Sequence, residues 1–168
     1  ANGYLPNGTN AYANTFLSPN TVFGSGFGAI GFYINQALTV AGKPMGTLNF
    51  DYLVGTTFVR GLNKSATNIL LSATLPMDGF FTVSRIVATD AFIMNRNGTF
   101  ATVLAAQQAG YASAEIVIGA TNTSTLVPTS YSNGRIALAY CSNGLTQAEC
   151  TTLKSIVQTF QTTLGRQV

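Results

Sequence analysis

The chain has 168 residues, of which 46% are hydrophobic and only 8% charged, with eight basic and five acidic side chains giving a net charge of +3. An ordinary soluble domain is about 25% charged, so Asn, Thr, Ser, Gln and Gly must keep this surface wet, a composition that suits work outside cells. The scattered charges exclude the basic patch that holds nucleic acid, no apolar run reaches the roughly 18 residues that insert into a membrane, and the absence of His removes the usual metal ligand and general base.

Ala1 to Asn20 holds Asn-Gly pairs, Pro6, Pro19 and the rings Tyr4, Tyr12 and Phe16, and reads as irregular chain with one short edge strand. Gly24-Ser25-Gly26-Phe27-Gly28 has the look of a phosphate loop, but no Lys-Ser/Thr follows and a β pattern comes next, so it reads as a flexible lead into a strand. That strand is the run Ala29, Ile30, Phe32, Tyr33 and Ile34. Leu48, Phe50, Tyr52 and Val54 then alternate with Asn49, Asp51 and Leu53, the pattern of a half-buried strand. Phe58 to Leu62, Ile69 to Leu75 and Phe80 to Val87 repeat the theme between Gly, Pro, Asn and Asp punctuation.

From Phe92 to Leu104, Asn97-Gly98 lies between two apolar runs and predicts a hairpin. Ile116 to Ala120 and Arg135 to Tyr140 are two further strands, separated by the polar loop Thr121 to Asn133. At Thr146 the period changes. Thr146-Gln147-Ala148-Glu149 is a capping box, after which Cys150, Leu153, Ile156, Val157 and Phe160 fall on one helical face, with Gly165 as the C-terminal cap. About nine strands with regular turn signals and no strand-helix alternation predict an antiparallel β-sandwich closed by a C-terminal amphipathic helix. The length suits a single domain over residues 1–168, and the start at Ala1, without Met or a signal-peptide pattern, reads as a piece of a larger protein.

Three stretches carry a family resemblance. The segment Arg135 to Tyr140, followed by Asn143-Gly144-Leu145-Thr146-Gln147-Ala148-Glu149 and the ending Phe160 to Val168, is similar to the C-terminal signature of laminin-G or concanavalin-like jelly-roll modules in bacteriophage and other viral structural proteins. Gly79 to Arg85, the hairpin from Phe92 to Phe100, and Asn7-Gly8-Thr9-Asn10-Ala11-Tyr12 fit the same family in the same order. The resemblance implies a concanavalin-like jelly roll on a virion surface, as tail fibre, tailspike or capsid decoration. It also implies contact with a host-surface glycan or receptor, with other virion proteins and, in an oligomer, with copies of itself. Fold alone does not fix function, and a structural virion domain without a ligand is the competing expectation. The chain departs from its lectin-like relatives in having no Asp-x-Asn loop for calcium, so neither metal nor cofactor is expected.

Catalysis lacks parts. Concanavalin-like glycosidases need two carboxylates close together, whereas Asp78, Asp90 and Glu115 read as solvated turn residues and Glu149 belongs to the helix cap. Ser or Cys nucleophiles have no His base, so no enzyme is predicted. Cys141 and Cys150, nine positions apart, read as small apolar residues, with a bridge pinning the helix start to the preceding strand as the alternative. The sequons at Asn7, Asn63, Asn97 and Asn122 are expected by chance in a chain this rich in Asn and Thr. A sugar site needs an aromatic ring and several amides or hydroxyls on loops held by strands. Two loops offer these: Asn63 and Lys64 after Gly61, and Thr121 to Asn133 with Asn122, Tyr131 and Asn133.

Overall fold

The computed structural model describes residues 3–23, 27–47, 50–54, 58–63, 69–72, 77–104, 111, 113–123 and 127–168. Along the chain the elements are β1 (Ala13–Asn14), α1 (Pro19–Phe23), β2 (Gly28–Gln36), β3 (Gly42–Thr47), β4 (Phe50–Val54), β5 (Phe58–Asn63), β6 (Ile69–Ser72), β7 (Gly79–Val87) and β8 (Asp90–Met94). They continue as β9 (Phe100–Leu104), β10 (Val117–Ile118), β11 (Thr121–Asn122), β12 (Pro128–Thr129), β13 (Arg135–Asn143) and α2 (Gln147–Thr163). One sheet has the order β13-β2-β7-β8-β9; the other runs β1-β10-β3-β4-β5-β6, with β11 beside β3 and β12 beside β11. The pairings are antiparallel except for β11 on β3. This is the antiparallel jelly-roll sandwich with a C-terminal helix that the sequence predicted.

The core between the sheets is aromatic. Phe32, Tyr52 and Phe81 meet in one group and Phe23, Phe50 and Tyr111 in another, with ring centroids 5.2–5.8 Å apart. Tyr52, on β4, donates its hydroxyl proton to the Met94 carbonyl of β8 at 3.0 Å, which ties one sheet to the other. Burial holds its phenol well above the usual tyrosine range.

Three strands of the first sheet are buried on both faces, which is why β2 and β8 read as largely apolar runs, while the buried Thr82 and Ser84 hydroxyls of β7 donate to the Ile30 and Leu145 carbonyls. In β2, β7 and β8, Ile30, Phe32, Phe81, Val83 and Ile93 face the sandwich, while Tyr33, Phe80, Phe92 and Met94 form a second cluster with Cys150 and Val157 of α2. The helix therefore covers the outer face of this sheet. Gly31 is required by the same layering, because a Cβ there would overlap the Tyr140 ring and the Phe81 carbonyl.

The strand expected at Leu48 to Val54 begins at Phe50 among the described residues, and Asp51 is buried rather than solvated. Lys43 of β3 reaches it at 2.6 Å, and Thr121 donates to the same oxygen at 3.4 Å. Strand β3 escaped the sequence reading because Gly42-Lys43-Pro44-Met45-Gly46-Thr47 has no apolar alternation. Residues 64–68 and 73–76 lie outside the described residues, and with them the end of the strand predicted to reach Leu75.

The hairpin and the helix cap form as predicted. Gly98 N donates to Asn95 O and Asn95 N to Thr99 O in the turn. Thr146 Oγ1 accepts from Glu149 N, and Thr146 N donates to Glu149 Oε2 at 2.7 Å. At the other end Gly165, at φ +65°, closes a Schellman turn in which Arg166 N donates to Gln161 O and Gly165 N to Thr162 O. The buried face keeps Cys150, Leu153 and Val157 of the predicted stripe and loses the other two. Cys150, Val157 and Gln161 are buried, but Ile156 and Phe160 are 61% and 50% exposed. Each lies one residue, or about 100° of helix, behind Val157 and Gln161, so a helix lying on a flat sheet leaves that row outside.

Backbone and hydroxyl hydrogen bonds from Thr146 hold the Glu149 carboxyl below its usual value of 4.5. A depressed carboxylate pKa stabilises the fold fully above the ordinary value, and the effect is lost as the pH falls on through the lowered one. Thr146→Ala is expected to cost about 1 kcal/mol at pH 7 and to flatten the acid side of the stability profile, which thermal melts from pH 3 to 7 would test.

Cys141 of β13 packs against the sandwich core, while Cys150 of α2 sits in the cluster on the outer face of the sheet. Both are free thiols. Burial pushes Cys141 up to about 11 and, with Glu149 nearby, Cys150 up to about 12. Neither thiol should react with a disulfide reagent at pH 8 until the chain is unfolded, and reductant should leave the melting temperature unchanged. Rapid labelling of the native protein would contradict this placement.

Candidate functional site

The segment after β1 is shaped by its own short polar side chains. Asn14 Oδ1 accepts from Phe16 N at 3.0 Å, and Thr15 Oγ1 accepts from Leu17 N at 3.2 Å, two successive side-chain turns. The turns are clamped to the neighbouring chain: Thr15 N and Oγ1 both donate to Ile116 O, and Ile116 N donates to Leu17 O at 2.8 Å. Ser18 then caps α1, with Pro19 as its first residue, and Phe23 anchors the helix between Phe50 and Tyr111.

Clamped on both sides, Phe16 is forced to φ +59°, in the left-handed region. A bulky residue rarely adopts that conformation, and it costs roughly 1–2 kcal/mol. The strain does not serve packing, because Phe16 is 78% exposed. Strained backbone persists where the surroundings over-determine it, and it concentrates at binding sites.

Around the ring lies a shallow cavity of about 200 Å³ lined by Phe16, Leu17, Ser18, Thr21, Val22, Ser113 and Glu115. The Ser18 and Thr21 hydroxyls are 2.7 Å apart and share one hydrogen bond, so one hydroxyl proton is left to donate outward. Asn14 Nδ2 donates to Glu115 Oε2, which fixes the carboxylate and leaves its other oxygen as an acceptor. The lining thus combines an aromatic ring with hydroxyls and a carboxylate. No metal is implied, and among the described residues no group of three or more Cys, Asp or Glu lies together.

None of the lining comes from the two loops that the sequence nominated. Asn63 closes β5 as the register partner of Phe50, so the chain from Gly61 to Asn63 is strand rather than loop, and Lys64 lies outside the described residues. Asn122 is 2% exposed and donates to the Glu115 carbonyl at 3.0 Å, a cross-link beneath the surface. Asn133 joins the loop before β3 through both amide atoms, accepting from Thr39 N at 3.1 Å and donating to Thr39 Oγ1 at 2.6 Å. Tyr131 stands beside it, partly exposed, with its carbonyl over Gly42.

The carboxylates do not converge. Asp78 pairs with Arg96 at one end of the β7–β8 ladder, Asp90 faces Val87 at the other, and Glu115 is on the Phe16 cavity. The signal that marked Phe16 was present in Asn14-Thr15-Phe16-Leu17-Ser18-Pro19: two turn-forming side chains, then a helix cap and first-turn proline around an apolar pair.

No family model matches the sequence, and no curated protein matches it. Solved structures do resemble the fold. The CBM40 of Ruminococcus gnavus IT-sialidase superposes with a TM-score of 0.54 at 14% identity, over 92% of this chain and 97% of that one. The binding domain of botulinum neurotoxin DC, solved in complex with SialylT, gives the same TM-score and identity over 80% of this chain and 36% of that one. This chain therefore spans about a third of the neurotoxin binding domain. Both likenesses rest on the jelly-roll fold.

Proposed function

We propose that this domain binds saccharides without catalysing a reaction, using the Phe16 ring as the platform for a sugar's C–H face and Ser18, Thr21, Ser113 and Glu115 for its hydroxyls. The observation that carries the reading is Phe16 itself, an aromatic side chain locked in a costly conformation and turned into water. The solved neighbours support it by their kind, one being the CBM40 of a sialidase and the other a toxin binding domain in complex with SialylT. The nearly uncharged surface and the resemblance of the C-terminal segment to viral structural modules support a place on a virion surface, facing a host glycan or receptor.

A shallow site gains about 0.5–1.5 kcal/mol per hydroxyl contact after water is displaced, so affinity depends on many copies acting together. The domain fused to a trimeric carrier is expected to bind a subset of saccharides on a glycan array, and the monomer to bind them weakly or below detection. An array blank for the trimer would remove the reading.

A second reading, a structural virion domain that self-associates, is favoured by the exposed apolar row Ile156, Phe160 and Leu164 on α2, at 61%, 50% and 45% exposure. Sedimentation equilibrium separates the two, since that reading requires an oligomer that Phe160→Lys dissolves.

A further inference from the structure

A second cavity, away from Phe16, lies where α2 crosses the turn of the β8–β9 hairpin. It has a volume of about 310 Å³ and is lined by Gly79, Phe80, Arg96, Asn97, Lys154, Gln158 and Val168. Two cations enter it, and each lies over a glycine in the left-handed region. Arg96 crosses Gly79, at φ +93°, where an added Cβ would stand 2.9 Å from Arg96 Cβ; Lys154 Nζ sits 3.3 Å from the Cβ position of Gly98, at φ +82°. A side chain at either glycine would push its cation aside.

Asp78 pairs with Arg96, but among the described residues no acidic group lies within ion-pairing distance of Lys154, although that side chain is partly buried. Asn97 and Gln158 line the same groove.

We infer that this groove binds the carboxylate of an acidic sugar, with Lys154 as its counter-ion and Asn97 and Gln158 reading the neighbouring hydroxyls. The groove is at the small end of ligand sites, which suits one sugar ring better than an extended acidic peptide, and its amides are hydroxyl readers rather than further cations. A carboxylate here would give Lys154 the charge-assisted bond that none of the described residues supplies.

The test uses the whole chain, ¹⁵N-labelled, titrated with glucuronate, glucose or triglutamate. Glucuronate is expected to move the Asn97, Gly98 and Gln158 amide resonances while glucose, lacking the carboxylate, leaves them in place. Lys154→Gln is expected to weaken the glucuronate response at least about tenfold, the loss of one charge-assisted hydrogen bond, and added salt to weaken it further. Phe16→Ala should leave the response unchanged, so this groove and the Phe16 cavity fail or stand separately. Equal responses to glucose and glucuronate, an unaffected Lys154→Gln variant, or a response to triglutamate alone would overturn the assignment.

Discussion

Deleting residues 145–168 is expected to abolish the sharp thermal transition of this domain. The deletion leaves β13 whole but strips α2 from the outer face of the five-stranded sheet, where Tyr33, Phe80, Phe92 and Met94 are at most 5% exposed. Returning four such side chains to water costs roughly 6–12 kcal/mol at about 1.5–3 kcal/mol each, comparable with the whole stability of a typical domain, about 5–15 kcal/mol. Two anchors of the helix go with it: Ser84 Oγ, which donates to the Leu145 carbonyl at 2.7 Å, and the bond from Val168 N to the Tyr33 hydroxyl at 3.1 Å. Scanning calorimetry and near-ultraviolet circular dichroism should show a broad, non-cooperative melt. A sharp melt at the full-length temperature would mean that the helix is dispensable and the sheet stands alone.

Phe16→Asn is expected to separate binding from stability. Asn tolerates the left-handed region far better than Phe, so the substitution keeps the turn and removes the ring. Saccharide binding should fall about tenfold or more, the loss of a stacking contact and its buried area. The melting temperature should hold or rise, by up to about 2–4 °C if about 1 kcal/mol of backbone strain is released. A ring that served packing would behave in the opposite way: its loss would lower the melting temperature by several degrees. Asn14→Ala provides the complementary variant, since it removes the acceptor for Phe16 N and the donor to Glu115 together.

The sandwich, the Asn97-Gly98 hairpin and the capped helix were legible because each has a local cause: alternation, a turn pair and a capping box. What escaped the sequence depended on partners far along the chain. Strand β3 has no apolar period and exists because Met45 and Gly46 pair with Ile118 and Val117 on one side and with Tyr52 and Asp51 on the other. Arg85 is fully buried, its guanidinium donating to the Ala88 carbonyl at 2.9 Å, and nothing in the local sequence marks it as such. Two members of the predicted α2 stripe, Ile156 and Phe160, face outward because helical spacing fixes which side chains share a stripe, while the sheet beneath decides how much of it is covered.

The candidate site was least legible. Asn122 and Asn133 have the residue types of a sugar site, yet both amides are tied into the scaffold, and a sequence does not reveal which polar side chains are already taken. Phe16 looked like one ring among several in an irregular stretch. Its significance lies in a backbone angle that follows from contacts with Ile116, 100 residues later.

The most direct test of the central claim is an intermolecular nuclear Overhauser measurement between the Phe16 ring protons and the C–H protons of a saccharide selected on the array. The saccharide-binding account predicts cross-peaks from Phe16 to the protons of one sugar face, together with amide shifts at Leu17, Ser18 and Ser113. Cross-peaks confined to other rings, with the Phe16 resonances unmoved at saturation, would contradict it.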